Sequence, residues 1–321
     1  MNFWDDFPGM PEALERVSGC INSYITNTSP LLQKSLEGLF LNNGKLLRPG
    51  MFLLCAGFGK KLEEKHYKLA ASLEMLHAAT LIHDDIIDDS PVRRGLPAMH
   101  TLIGQKDAVL AGDYLLSRCI LISGEYSSPE NAQNVARLMA AICTQEIEQD
   151  NGRFVSNLSL RSYLRKITGK SAVLISLACY AGATEGGVKK DLAWRFRRAG
   201  YNIGMAFQII DDILDYAGDE GLVAKPLGTD ITSGIITLPV LCVYRKGNCP
   251  ELNEILSKAN FTADESKKIL QLVRNNGGIE MAAEYAKLYT NRALREIEYL
   301  PKCRNRDMLV KLTNKLLVRK W

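Results

Sequence analysis

Several absences narrow the reading at the outset. None of the eight cysteines (20, 55, 119, 143, 179, 242, 249, 303) belongs to a C-x-x-C pair, and most lie in apolar runs such as Met51 to Ala56. That is how reduced core thiols look, so a cytoplasmic setting is expected and a disulfide scaffold is not. No stretch of 18 uninterrupted apolar residues is present, so the chain is not expected to span a membrane. Its first residues, Met-Asn-Phe-Trp-Asp-Asp, are acidic where an export signal would be basic and then apolar. An excess of one charge is missing too: 40 Lys+Arg against 36 Asp+Glu leave +4, too little for a dedicated nucleic-acid binder. Sustained period-2 alternation of Val, Ile and Thr is lacking, and with it the signal for sheet. No proline falls between Pro129 and Pro226 or between Pro250 and Pro301, and each gap can hold several helices.

What is there reads as helix. Ser128 before Pro129 is an N-cap with proline at N1, Thr262-Ala-Asp-Glu265 is a capping box, and Gly277-Gly278 is a helix stop. No glycine/serine-rich linker divides the chain, so the expectation is an all-α fold with residues 1–321 as one large helical domain. Nucleotide and zinc fingerprints fail. Gly169-Lys170-Ser171 looks like the end of a P-loop, but the glycine required five positions before Gly169 is Leu164, and no strand precedes it. There is no G-x-G-x-x-G and no H-E-x-x-H, and His66, His77, His83 and His100 lack zinc-site spacing.

Two aspartate clusters stand out against this background. Leu81-Ile-His-Asp-Asp-Ile-Ile-Asp-Asp89 places Asp84, Asp85, Asp88 and Asp89 within six residues. On a helix Asp84 and Asp88 share a face, as do Asp85 and Asp89. Like charges about 6 Å apart repel by roughly 3 kcal/mol at an effective dielectric near 20, and aspartate is a poor helix former. A solvated acidic face would lower that cost, but Leu81, Ile82, Ile86 and Ile87 point to an interior helix. The pattern returns at Gln208-Ile-Ile-Asp-Asp-Ile-Leu-Asp215, with Asp211, Asp212 and Asp215 in a still more apolar setting. One D-D-x-x-D is a weak signal; two on apolar helices of one chain are not. Buried carboxylates need a cation, and an all-oxygen donor set suits Mg²⁺. Since Mg²⁺ binds through one or two carboxylates plus substrate phosphates, the pair of clusters implies a phosphorylated ligand.

Such a ligand needs cations, and they are present. Lys45 and Arg48, Arg93 and Arg94, Lys170 and Lys225 are distributed before, between and after the clusters. Each alone is an ordinary surface residue; together they supply the charge for two diphosphates.

These residues resemble the trans-isoprenyl (polyprenyl) diphosphate synthases. The matching blocks are Gly44-Lys45-Leu-Leu-Arg48-Pro49, Leu73-Glu-Met-Leu-His77 running into Asp84-Asp-Ile-Ile-Asp88, Arg93-Arg94-Gly95, Gly112-Asp113, Lys170-Ser171-Ala172, Phe207-Gln208-Ile-Ile-Asp211-Asp212 and Lys225-Pro-Leu-Gly228-Thr-Asp230. The resemblance implies antiparallel helices around a central cavity, the isoprenoid synthase fold, and a homodimer. It implies head-to-tail condensation of isopentenyl diphosphate with an allylic diphosphate, using three Mg²⁺ per active site with substrate bound. Carried onto this chain, Asp84, Asp88 and Asp211 are the main metal ligands, with Asp85, Asp212 and Asp215 close by or ligating through water, and these six with Lys170 are the expected catalytic residues. Arg93, Lys170, Ser171, Gln208 and Lys225 hold the allylic diphosphate, and Lys45, Arg48, His77 and Arg94 hold isopentenyl diphosphate. The released pyrophosphate takes the proton, which fits the lack of an evident nucleophile and base pair. His83, beside Asp84, suits a supporting or packing role.

Three positions depart from the family pattern. Asn43 stands where a second glycine is usual, Ser171 where threonine is usual, and Ile235 where a lysine often precedes Thr-Leu-Pro. Product length in the family is set upstream of the first cluster. Leu73, Leu76 and Thr80 fall on the Asp84 stripe, Leu73 about 16 Å below it at ~1.5 Å per residue. An ordinary core face would show the same residues. Short-chain synthases carry aromatics four and five positions before the first aspartate; Thr80 and Ala79 occupy those positions here, so a long product of seven to ten isoprene units is expected.

Alternatives of other classes are a terpene cyclase, for which the isopentenyl-site residues would serve no purpose, and a regulatory subunit, which would have lost aspartates. A shorter-chain farnesyl or geranylgeranyl synthase and the catalytic subunit of a heteromer with a small partner are the nearer ones. Residues 302 to 321 hold seven Lys/Arg against Asp307, so this end is +6 and the rest −2. A solvated helix face accounts for it; so would contact with a membrane surface that receives product.

Overall fold

A computed structural model of the chain describes residues 3–26, 28–41, 44–93, 95–150, 159–217, 227–258 and 260–317, without the side chains of 41, 145, 146, 148–150 and 170. The helices are α1 (Met10–Ile25), α2 (Pro30–Leu41), α3 (Leu47–Ala56), α4 (Glu64–Ile87), α5 (Met99–Ile103), α6 (Gln105–Tyr126), α7 (Pro129–Asp150) and α8 (Leu160–Ile167). They continue as α9 (Val173–Glu185), α10 (Lys190–Ala217), α11 (Thr229–Thr232), α12 (Leu238–Lys246), α13 (Pro250–Leu256), α14 (Ala263–Asn275), α15 (Gly278–Glu298) and α16 (Arg304–Leu317). Among the described residues the one sheet is an antiparallel hairpin of β1 (Val92–Arg93) and β2 (Leu96–Pro97), so the fold is all-α as expected. No helix among them is long and apolar enough to cross a membrane.

The signals read as helix ends act as such. Ser128 Oγ accepts the Asn131 N–H at 3.4 Å as α7 begins at Pro129. Thr262 Oγ1 accepts the Glu265 N–H at 3.2 Å while the Glu265 carboxylate accepts the Thr262 N–H at 2.8 Å, closing the capping box of α14. Gly277 adopts φ +75 between α14 and α15, a left-handed step that glycine takes without strain.

The chain divides into two compact units: Met1–Arg137, Leu177–Arg197 and Pro301–Leu309 in one, Leu138–Ser176, Arg198–Leu300 and Val310–Trp321 in the other. In the first, α4 packs against α1, α3 and α6. Leu69, Ala70, Ala71, Leu73, Met75, Leu76, Ala78 and Ala79 are all buried, the mark of an enclosed helix. Its start is locked by His66, whose Nδ1 accepts the Glu63 N–H at 2.9 Å while Nε2 donates to the Glu185 carbonyl at 3.1 Å. In the second unit, α11 to α14 and the end of α10 enclose a cluster of Tyr216, Ile231, Val240, Val243, Leu252, Ile269 and Val273.

The described cysteines are all free, and Cys20, Cys55, Cys119, Cys179, Cys242 and Cys249 are buried. Burial pushes the Cys119 and Cys242 thiols up to about 11, which keeps them protonated and inert. Within the basic C-terminal segment, Arg304–Leu317 form α16: its Met308, Leu309, Leu312 and Leu316 are buried, while Lys302, Arg304 and Lys311 stay exposed.

Candidate active site

The first aspartate cluster is the C-terminal end of α4. Asp84 and Asp85 lie in its last turn and Asp88 is the C-cap. The Ser90 N–H returns to the Asp85 carbonyl at 2.9 Å and the Asp89 N–H to the Ile86 carbonyl at 3.2 Å, with Asp89 itself at φ 48. That is a Schellman closure, in which Asp89 takes the left-handed position that aspartate tolerates better than most side chains. A helix C-terminus carries partial negative charge, so these carboxylates sit where a cation is favoured.

The four carboxylates are not equivalent. Asp85 is 5% exposed and accepts Arg93 Nε at 2.8 Å, with Arg93 Nη2 also on its Oδ1. Arg93 arrives on the β1–β2 hairpin, where Gly95 takes the turn at φ +79. The guanidinium keeps its Nη1 donors for a second oxyanion. Asp88 is exposed and Asp84 half-buried. His83 Nε2 donates to the Val109 carbonyl at 3.3 Å and lies 3.6 Å from Asp113, so its ring rests on α6. This accounts for Gly112: a Cβ there would stand 2.2 Å from His83 Nε2.

Further back on α4, Leu73, Leu76 and Ala79 are buried, and half-buried Thr80 donates its hydroxyl to the His77 carbonyl at 2.8 Å. His77 is half-buried. Lys45 is exposed and Arg48 half-buried, the first in the segment that leads into α3 and the second in the opening turn of that helix. Arg94 lies outside the described residues.

In the second unit the cluster lies in the last two turns of α10, again at a helix C-terminus. Asp211 is exposed and Asp212 is 5% exposed. Asp212 accepts the Tyr163 hydroxyl at 2.6 Å and Gln208 Nε2 at 2.9 Å, and Gln208 Oε1 in turn accepts the Ser171 hydroxyl. Burial and the charge of Asp212 push the Tyr163 phenol well above its ordinary range, so it remains a donor. Asp215 accepts the Thr229 N–H at 3.2 Å, the Thr229 hydroxyl at 3.0 Å and the Asp230 N–H at 3.1 Å.

Ser171 reaches Gln208 because α8 and α9 are joined by a π-helical turn, Thr168–Ala172. That turn rests on Gly204 of α10, where a Cβ would stand 2.5 Å from Ala172 Cα. The Gly-Lys-Ser resemblance to a P-loop thus belongs to a widened helical turn of the kind found at functional sites. Lys225 and the Lys170 side chain lie outside the described residues.

The structure brings Arg93 to Asp85 in one unit and Ser171, Gln208 and Asp212 together in the other. It adds Tyr163 and Thr229, which the sequence reading did not single out. Tyr163 on α8 reaches Asp212 on α10, 49 residues along the chain, a contact between helices that local periodicity does not record. No group of three His, Cys, Asp or Glu side chains among the described residues forms a self-sufficient metal cage. The oxygen-only donors at helix C-termini still fit Mg²⁺, which takes few carboxylates and completes its shell with water and phosphate.

Known proteins resemble this chain over most of its length. The polyprenyl synthetase family matches residues 29–273. Heptaprenyl diphosphate synthase component 2 of Bacillus subtilis is 32% identical, over 91% of this chain and 84% of the relative. The heptaprenyl diphosphate synthase structure from Staphylococcus aureus aligns with TM-score 0.92 at 30% identity, covering 97% of this chain and 98% of that one. The geranylgeranyl pyrophosphate synthase structure from Lactobacillus brevis aligns with TM-score 0.91 at 34% identity, covering 98% and 99%. With its two aspartate clusters closing helices and a family match over residues 29–273, the chain belongs to the polyprenyl synthetase family and is a prenyltransferase.

Proposed function

We propose that residues 1–321 act as one trans-polyprenyl diphosphate synthase domain, condensing isopentenyl diphosphate head-to-tail onto an allylic diphosphate to give a product of about C30–C50. The observation that carries this is the pair of D-D-x-x-D clusters, each at the negative end of a helix and each with its second aspartate buried on protein donors. Asp84, Asp88 and Asp211 would hold Mg²⁺, three ions per site in all, which when bound supplies Lewis-acid stabilisation to the departing pyrophosphate. Arg93, Lys170, Ser171, Gln208 and Lys225 bind and orient the allylic diphosphate so that charge develops against fixed cations as the C–O bond breaks. Lys45, Arg48, His77 and Arg94 hold isopentenyl diphosphate with its double bond toward the allylic carbon. The double bond forms the new C–C bond, and pyrophosphate takes the proton that restores an alkene.

The relative's name, component 2, supports a second reading: this chain as the catalytic member of a heteromer with a small partner. For a homodimer, the supporting feature is α6, which exposes Val109, Leu110, Ile120 and Leu121 on one face. The exposed basic side of α16 supports peripheral contact with an anionic membrane surface, and the buried free thiols support a cytoplasmic setting.

Purified protein incubated with Mg²⁺, isopentenyl diphosphate and farnesyl diphosphate is expected to give long products on chromatography, and chelator to abolish them until Mg²⁺ is restored. Absence of elongation with and without a candidate partner overturns the synthase reading. Products that stop at C15 or C20 overturn only the long-chain part.

A further inference from the structure

One aromatic cluster lies outside every motif described above. Trp4 is 2% exposed and Phe7 fully buried, their rings edge to face at 5.1 Å, and Phe3 stands edge to face with Trp4 at 5.1 Å. The Trp4 indole N–H donates to the backbone carbonyl of Lys45, 41 residues further along the chain. The same ring lies against the first turn of α3, where a Cβ on Gly50 would stand 2.3 Å from Trp4 Cζ2. The Lys45 ammonium is 4.9 Å from the centroid of the Phe3 ring. Next to this anchor Leu46 takes φ 45, a left-handed conformation that leucine avoids and that persists only where its surroundings over-determine it.

We propose that Trp4 is a positioning residue for the Lys45–Arg48 segment, fixing the backbone from which both cations reach isopentenyl diphosphate. This rests on the assignment of Lys45 and Arg48 to that substrate made above. Three features converge on one backbone stretch: a buried donor bonded to its carbonyl, a strained residue beside it, and a glycine that clears room for the indole. A buried indole N–H requires an acceptor, so the contact is held from the Trp4 side as well. Preorganising a basic segment lowers the ordering cost of binding, and its loss is felt as weaker binding of the ligand it serves.

The test is steady-state kinetics of the full chain with Mg²⁺, each diphosphate varied in turn. Trp4→Phe keeps an aromatic ring but removes the donor, and Gly50→Ala pushes the indole away from the other side. Both are expected to raise KM for isopentenyl diphosphate about tenfold while kcat at saturation and KM for farnesyl diphosphate stay within about twofold. A general loss of folding would move both KM values and the melting temperature together. The proposal is overturned if both variants leave KM for isopentenyl diphosphate within twofold of the parent while Lys45→Ala raises it, or if both substrates are affected alike. If Lys45→Ala itself leaves that KM unchanged, the assignment of the segment fails and the positioning role fails with it.

Discussion

Asp85 and Asp212 hold the same place in their respective clusters, and the protein spends both on its own donors. Asp85 orients Arg93, and Asp212 ties Tyr163 and Gln208 to the π turn through Ser171. The neighbouring Asp84, Asp88 and Asp211 are each more exposed than these two, which suits contact with a metal. Substitution should separate the two classes. Asp84→Asn and Asp211→Asn are expected to lower kcat/KM by on the order of 10²–10³, the scale of losing one element of transition-state charge stabilisation. Asp85→Asn and Tyr163→Phe remove orienting contacts and should cost about 10–100-fold. Tyr163→Phe should also lower stability by about 1–3 kcal/mol, because the buried Asp212 loses one of its hydrogen-bond donors. Titration of Mg²⁺ dependence together with thermal melts of the four variants checks this; equal effects at all four positions would contradict the division of labour.

At the scale of the element, the helix ends carry much of the specification. The Schellman closure of α4 presents Asp88 at the helix C-cap, and the π turn between α8 and α9 brings Ser171 to Gln208. The capping box of α14 offers a test of pH dependence. Glu265 is held down to about 2 by its contact with Lys258 and by the Thr262 N–H. A carboxylate depressed in the folded state favours folding at pH above its ordinary range and loses that contribution as pH falls toward its folded value. The contribution of Glu265 is therefore complete above about pH 4.5 and fades from there to about pH 2. Glu265→Gln should lower the melting temperature at pH 7, and the difference from the parent should shrink through that window. Thr262→Ala removes the other half of the box and should cost about 1 kcal/mol, with faster amide exchange confined to the first turn of α14.

For the whole molecule, product length is the property with the widest consequences. Ala79 is fully buried on α4, as is Leu76, with Leu73 only 3% exposed. Ala79→Phe is expected to shift products to shorter chains, read by chromatography, with about 1–3 kcal/mol of overpacking cost. Unchanged product length in a stably folded variant would remove Ala79 from the chain-length wall. The apolar side of α16 has a further consequence: removing residues 302–321 would take the buried Leu312 and Leu316 out of the core and uncover the residues they pack against, so the basic face is better probed by neutralising Lys302, Arg304 and Lys311 than by truncation. The helical architecture, the start of α7, the box of α14 and the two aspartate clusters were legible in the sequence alone. Those signals are local: capping, periodicity and side-chain type act within a turn or two of chain. Only the tertiary structure decided which aspartate of each pair is spent on a protein donor, that Tyr163 and Thr229 serve the second cluster, why Gly112 and Gly204 must be glycine, and that Trp4 reaches Lys45. Each of these joins residues on different elements, and a contact between elements is set by packing, which no local pattern of residues records.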